Sequence, residues 1–331
     1  MEDLTAREGE TAFRFSLTSY TPEQPKVLSD LLESVRILIK RLDTRFFERK
    51  VKTPPFYLSY TFTGSCATDA VEVLNNVKTE LKFLCDKTVF IDHAFITGAL
   101  AELGPRLIIS DVDSTFISQE VIELIARHAG TESEVQAITE AAMRGELDFT
   151  DSLKERVATL SGLDSSALEN IIDDVTFTPG ATELVNLAHK HGAKFGLVSG
   201  GFMEVLTPLV KNLSIDRYTA NRLEIADDYL TGRTLGKIID SEAKLTAVKE
   251  WSKEFNIPRE LVVCIGDGAN DLKMLAYAGH SFAFCAKPVV VENADSSITF
   301  PRLDILATMF GWEDDDGEET RQPTRMPDSI R

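Results

Sequence analysis

Asp111-Val112-Asp113-Ser114-Thr115 places two carboxylates at alternate positions, directly after a short apolar run from Arg106 to Ser110. Side chains two apart on an extended backbone point the same way, so both carboxylates can enter one site. A second acidic set, Gly266-Asp267-Gly268-Ala269-Asn270-Asp271, follows another apolar run, Leu261 to Ile265. Its glycines permit close backbone approach, and Asp267 and Asp271 stand about one turn apart where a helix begins. A lone DxD is ordinarily a turn that caps a helix. Two acidic sets at equivalent strand ends read differently, because converging carboxylates repel unless a cation binds among them. Hard oxygen ligands, with waters and a phosphate completing the shell, describe Mg²⁺.

Two further segments suit a phosphate. Ser199-Gly200-Gly201 follows the apolar run Phe195 to Val198 and offers a hydroxyl and backbone N–H groups at a helix start. Lys244 opens a helix that carries Leu245, Val248 and Trp251. Taken alone, Lys244 reads as a surface lysine. With the aspartates, a divalent cation and a small hydroxyl, it completes a phosphoryl-transfer set.

These residues need strands to hold them at one level. The runs at 106–110, 194–198 and 261–265 are short and continuously apolar, as expected of parallel strands covered on both faces. Helical patterns separate them, which predicts a right-handed parallel α/β sheet. Ligands of such sheets bind outside the carboxyl ends of the strands. From about Ser118 to Asp174 runs a helical insertion too long for a simple crossover. Its first helix turns Val121, Ile122, Leu124, Ile125 and Ala126 inward and ends at Gly130, so a helical cap is expected over the strand ends.

The first hundred residues read as a separate α+β unit. Phe13, Phe15 and Leu17 alternate with polar residues, which predicts a half-buried strand. Val27, Leu28, Leu31, Leu32, Val35, Leu38, Ile39 and Leu42 share a helical face. Thr44 to Lys52 reads as a charged edge strand, and alternation returns at Phe56, Leu58, Tyr60 and Phe62. A second helix with Val71, Leu74, Val77, Leu81 and Leu84 inside precedes a short strand around Val89 to Ile91. Strand–helix–strand–strand–helix–strand is the ferredoxin-like order. The expected domains are therefore 1–104, 105–312 with the cap at about 118–176, and an acidic, disordered tail over 313–331.

Composition bounds the function. The chain has 331 residues and a formal net charge of −18, from 53 acidic against 35 basic residues. That balance argues against a nucleic-acid partner, which needs Lys and Arg to displace phosphate counterions. It leaves room for one small phosphate, because a local cation can reverse the local field. Met1 to Glu10 is acidic and polar, unlike a signal peptide, and no apolar run approaches the roughly 18 residues of a membrane span. Cys66, Cys85, Cys264 and Cys285 are scattered and read as small buried residues in a reducing cytoplasm.

The DxDST of Asp111 to Thr115, the SGG of Ser199 to Gly201, Lys244, the GDGAND of Gly266 to Asp271 and Ala283-Phe284-Cys285-Ala286-Lys287-Pro288 resemble, in order, the haloacid-dehalogenase (HAD) superfamily and, within it, the phosphoserine phosphatase family. The resemblance spans about Arg106 to Trp312. It implies a Rossmann-like HAD core with a helical cap inserted after the first strand, and hydrolysis of O-phospho-L-serine through an aspartyl-phosphate as the last step of serine biosynthesis. By the same resemblance Asp111 is the nucleophile and Asp113 the acid and base. Mg²⁺ is held by Asp111, Asp113 (through its backbone) and Asp267, with Asp271 supporting them from the layer behind. Ser199, Gly200, Lys244 and Asn270 grip the phosphate. Glu120 receives the substrate ammonium, Arg156 its carboxylate, and Met143 and Phe149 shield it. The N-terminal unit resembles the ACT domains, but its loop Tyr20 to Pro25 lacks their glycine, so a structural or homodimer-forming role is expected over serine sensing. A related phosphatase or phosphotransferase on another phosphorylated amino acid remains an alternative. So does a phospho-acceptor signalling module, although such modules have neither the second Asp nor a helical cap.

Overall fold

The computed structural model describes residues 6–20, 25–42, 46–53, 57–88, 90–144 and 146–312. The expected tail over 313–331, the loop residues Thr21 to Gln24, and Thr44, Phe56 and Val89 lie outside the described residues. The chain forms two compact units. One comprises the described residues up to Pro105 with 295–300 and 304–312; the other comprises Arg106–Ala294 and Pro301–Leu303. Expected as the end of the second domain, residues 295–300 and 304–312 thus belong to the first.

The N-terminal unit runs β1 (Glu10–Ser19), α1 (Pro25–Lys40), β2 (Phe46–Thr53), β3 (Tyr57–Ala67), α2 (Val71–Asp86), β4 (Ile91–Thr97) and a short α3 (Ala99–Leu103). β1 pairs antiparallel with β3 and β4, and β2 with β3, giving the ferredoxin-like order β2-β3-β1-β4. Phe13, Phe15 and Leu17 pack without exposure against the apolar stripes of both helices, including Val35, Ile39, Val77 and Leu81. Burial of side chains this size contributes roughly 1.5–3 kcal/mol each. Val27 and Val71 are instead 49% and 52% exposed; each stands in the first turn of its helix, ahead of the packed stripe.

The second unit opens on β5 (Leu107–Ser110), every residue of which is buried. A wide turn over Val112–Phe116 leads into α4 (Val121–Ala129), α5 (Glu132–Met143), α6 (Phe149–Ala158) and α7 (Ala167–Asp174). These four helices are the insertion that the sequence predicts, and its two feet meet at a bridge between Ile117 and Phe177. Then follow α8 (Ala181–Lys190), β6 (Lys194–Phe202), α9 (Met203–Val210), β7 (Arg217–Ala226), β8 (Tyr229–Leu235), α10 (Ser241–Glu254), β9 (Val262–Gly266), α11 (Leu272–Tyr277), β10 (His280–Phe284) and α12 (Pro288–Asn293). The strand order is β10-β9-β5-β6-β7-β8, parallel except for β8. This is a Rossmann-like parallel core with one antiparallel edge hairpin, which the sequence reading did not anticipate. Ser110 stands in register with Leu197 and Ile265, so Asp111, Ser199 and Asp267 leave their strands at one level.

The chain then returns to the first unit. β11 (Ser296–Ile298) pairs antiparallel with β4 at Ser297–His93, and α13 (Ile305–Met309) packs on β1. Alternation predicts Ser16 and Thr18 to be solvated, yet they are 1% and 0% exposed. Their small polar side chains let α13 approach: the Ser16 hydroxyl donates to the Met309 carbonyl at 3.4 Å, and Thr18 shares a 2.7 Å hydrogen bond with Ser59. Of the cysteines, Cys66, Cys85 and Cys264 are buried as expected, whereas Cys285 is exposed, on a residue with φ 45° in the loop after β10.

Candidate active site

Asp111 leaves β5 with its N–H bonded to the Ile265 carbonyl at 2.9 Å, a last rung toward β9. The chain then turns sharply, with Ser114 held in the left-handed region at φ 57°, a costly conformation for a residue with a Cβ. The turn brings Asp113 back beside Asp111. One Asp113 oxygen accepts from the Val121 N–H, at the start of α4, at 2.8 Å. The other accepts from the Ser199 hydroxyl at 2.6 Å.

Beneath them lies Lys244, in the first turn of α10. Asp240 caps that helix by accepting from the Ala243 N–H at 2.8 Å. The lysine is fully buried and donates to Asp111 and Asp271, each at 2.7 Å. Burial opposes its charge, but the two carboxylates outweigh burial and hold the ammonium above its ordinary value. Asp271 also accepts from the Gly268 N–H at 3.0 Å. Gly266 must be glycine here, because a Cβ would lie 2.5 Å from the Asp271 carboxyl.

Asp111, Asp267 and Asp271 each bring an oxygen within 4.8 Å of the others. Burial, then Asp271, pushes the Asp111 carboxyl well above the ordinary range, against the pull of Lys244. The same two causes push Asp267 to about 6, opposed by Lys287 and Lys244. Three crowded carboxylates with one shared lysine are under-neutralised. Their hard oxygens fit a divalent cation such as Mg²⁺ and suit no soft metal.

A cleft of ≈ 730 Å³ opens above this cluster, and Asp111, Asp113, Gly200, Asp267 and Asn270 line it together with the cap residues Glu120, Phe149 and Arg156. Ser199, Lys244 and Asp271 lie in the layer beneath. The Phe149 ring covers the phosphate loop: a Cβ on Gly200 would stand 3.1 Å from it. Met143 closes α5; its side chain lies outside the described residues. Burial, then the Asp113 carboxylate, raises Glu120 to about 7. Burial likewise lowers the Arg156 guanidinium, which has no ion-pair partner among the described residues. Three contributors escaped the sequence reading. Ser114 donates to Glu120 at 2.7 Å, and Glu123 and Lys287 line the cleft. Ser114 and Lys287 stand inside motifs already singled out, so their position was the available signal.

A buried acidic cluster at the carboxyl ends of a parallel sheet, roofed by a helical insertion, is an arrangement suited to phosphoryl transfer beside a divalent cation. The haloacid dehalogenase-like hydrolase family matches residues 108–276, and the chain belongs to that family. More particularly, it is similar to a phosphoserine phosphatase of Streptococcus thermophilus, with 47% identity over 60% of this chain and 92% of the relative. It is 43% identical to a phosphoserine phosphatase of Mycobacterium tuberculosis over 67% of this chain. The chain spans 54% of the length of that relative and of a Streptomyces coelicolor one. A solved phosphoserine phosphatase carrying a phospho-aspartyl intermediate analogue matches with a TM-score of 0.59 and 39% identity, over 62% of this chain and 98% of that one.

Proposed function

We propose that the chain is a Mg²⁺-dependent phosphoserine phosphatase that hydrolyses O-phospho-L-serine to L-serine and phosphate. The observation that carries this reading is the cleft's pairing of an acidic, phosphoryl-handling floor with one carboxylate and one unpaired guanidinium from the cap, Glu120 and Arg156. Those two charges match the ammonium and carboxylate of an amino acid, and a substrate lacking either end leaves a buried charge unpaired. The relatives' names and the motif order support the same substrate.

In this reading the Asp111 carboxylate attacks phosphorus and the bond to the serine oxygen breaks, while Asp113 delivers a proton to that oxygen. Asp113 then takes a proton from water. The water oxygen attacks the aspartyl-phosphate, the phosphorus–Asp111 bond breaks, and phosphate leaves. Ser199, Gly200 and Asn270 hold the phosphoryl oxygens, with Lys244 balancing charge from below. Asp111, the Asp113 carbonyl, Asp267 and Asp271 would hold Mg²⁺, which supplies charge neutralisation as the phosphoryl group transfers. Phe149 and Met143 exclude water over the substrate.

We assign the N-terminal unit an ACT-like role in homodimer formation rather than serine sensing. We place the protein in the cytoplasm, at the last step of serine biosynthesis. The buried thiols of Cys66, Cys85 and Cys264 support a reducing compartment, the −18 charge argues against a nucleic-acid partner, and among the described residues no helix is long and apolar enough to cross a membrane. The test is phosphate release from O-phospho-L-serine, phosphothreonine, phosphohomoserine and sugar phosphates, with and without Mg²⁺. Phosphoserine should lead the panel and require the metal. Preference for another phosphorylated amino acid, or stable phosphorylation without turnover, rejects the assignment.

A further inference from the structure

Ser199-Gly200-Gly201 lies where the β6–β7 ladder is interrupted. Val198 pairs with Thr219 and Phe202 with Asn221, so these three residues bulge opposite Ala220 alone. A bulge leaves peptide groups without strand partners. Gly201 cannot carry a side chain to stiffen it, because a Cβ there would lie 2.7 Å from an Asp113 carboxylate oxygen. Yet the Gly200–Gly201 peptide needs a fixed orientation. Its N–H donates to the Ser199 hydroxyl at 2.6 Å, which directs the only hydroxyl proton to Asp113 at 2.6 Å.

The carbonyl of that same peptide is held by Asn221. This β7 residue is 2% exposed. Its Nδ2 donates to the Gly200 carbonyl at 2.8 Å, and its Oδ1 accepts from the Ile239 N–H at 2.8 Å. One partner is an acceptor and the other a donor, which fixes the orientation of the amide. Ile239 directly precedes Asp240, the cap of the helix that carries Lys244. We propose that Asn221 is a positioning residue for the phosphoryl site: its amide clamps the Gly200–Gly201 peptide and ties the phosphate loop to the lead-in of the Lys244 helix. Ser199, Gly200 and Lys244 thereby keep one spacing through turnover. The inference rests on the phosphoryl-transfer reading of this site and extends it to a residue outside the cleft.

The test uses the full chain with Mg²⁺ at pH 8 and two variants. Asn221→Leu removes both hydrogen bonds, whereas Asn221→Asp keeps the acceptor for Ile239 and loses the donor to Gly200. Both should lower kcat/KM on O-phospho-L-serine by about 10–100-fold and weaken calorimetric binding of inorganic phosphate at least several-fold. The ratio of kcat/KM between phosphoserine and an alkyl phosphate without the amino-acid end should stay at its wild-type value, because the cap contacts are untouched. Wild-type phosphate affinity in a folded Asn221→Asp chain overturns the proposal. So does a loss of activity that only follows the folded fraction, or failure of both variants to fold, which would make the amide a fold determinant. If the wild-type chain does not prefer phosphoserine, the substrate assignment fails, and the phosphate-binding comparison still decides the role of Asn221.

Discussion

Asp92 in the N-terminal unit and Asp111 in the second are both buried carboxylates, 2% and 4% exposed, and burial raises both above the ordinary range. Their surroundings differ. Among the described residues Asp92 faces donors only: the Tyr20 hydroxyl, the Thr299 N–H and hydroxyl, both at 2.8 Å, and the Phe300 N–H. It latches the strand that returns to β4. Asp111 faces other carboxylates, with Asp267 and Asp271 offering oxygens within 4.8 Å and one lysine between them. A buried carboxylate saturated by donors is a structural fastener. One crowded by its own kind holds repulsion that only a cation or a reaction relieves.

The largest expected effects probe the crowded side. Asp111→Asn should lower phosphate release by roughly 10³-fold or more while the circular-dichroism spectrum stays unchanged; an active variant would remove Asp111 as nucleophile. Chelation should abolish turnover reversibly and lower the melting temperature of the second unit, because an ion that binds only the folded cluster stabilises it by mass action. Activity unaffected by a strong chelator would break the contrast between the two units.

The chemistry was legible because the acidic motifs are contiguous and each follows a run that could only be a buried strand. The ferredoxin-like order was likewise readable from periods of two and 3.6. The β7–β8 hairpin was not. Its turn is Asp227-Asp228, both with positive φ, and two aspartates announce such a turn far more weakly than Asn-Gly. The second face of β1 was also hidden, because Ser16 and Thr18 look solvated until α13, more than 280 residues later in the chain, arrives to cover them. Asn221 escaped for a similar reason: one amide in a strand carries no motif, and its role exists only where the bulge of β6 needs it.

Substrate selection should respond next. Removing one charge of a buried recognition pair costs on the order of 10²-fold, so Glu120→Gln and Arg156→Gln should each lower kcat/KM on phosphoserine by that factor and spare an alkyl phosphate. In its proposed role Glu120 would bind an ammonium only when ionised, and burial has raised it to about 7. The phosphoserine-to-alkyl phosphate ratio of kcat/KM should therefore rise from pH 6 to pH 8. Taking the ratio cancels the titration of the phosphate itself near pH 6. The slope should vanish in Glu120→Gln; a ratio independent of pH in the wild-type chain would remove Glu120 from ammonium recognition.

The smallest effect on activity is expected at Asp92, and it tests the other half of the contrast. Asp92→Ala removes the buried acceptor that the Tyr20 hydroxyl and the Thr299 and Phe300 N–H groups share and leaves a small void, which should lower the stability of the N-terminal unit by about 1–3 kcal/mol. Hydrogen exchange across β4 and β11 would read this as faster opening, with kcat on phosphoserine unchanged. The sign with pH follows from the raised carboxyl. The folded unit binds the Asp92 proton more tightly than the unfolded chain does. The stability that Asp92 contributes is therefore full below the ordinary carboxylate value near 4 and shrinks as pH rises through the raised folded value. The difference between wild type and Asp92→Ala should be larger at pH 4 than at pH 7. A difference that grows with pH would mean that the donors around Asp92 outweigh its burial, and that the fastener works as an anion.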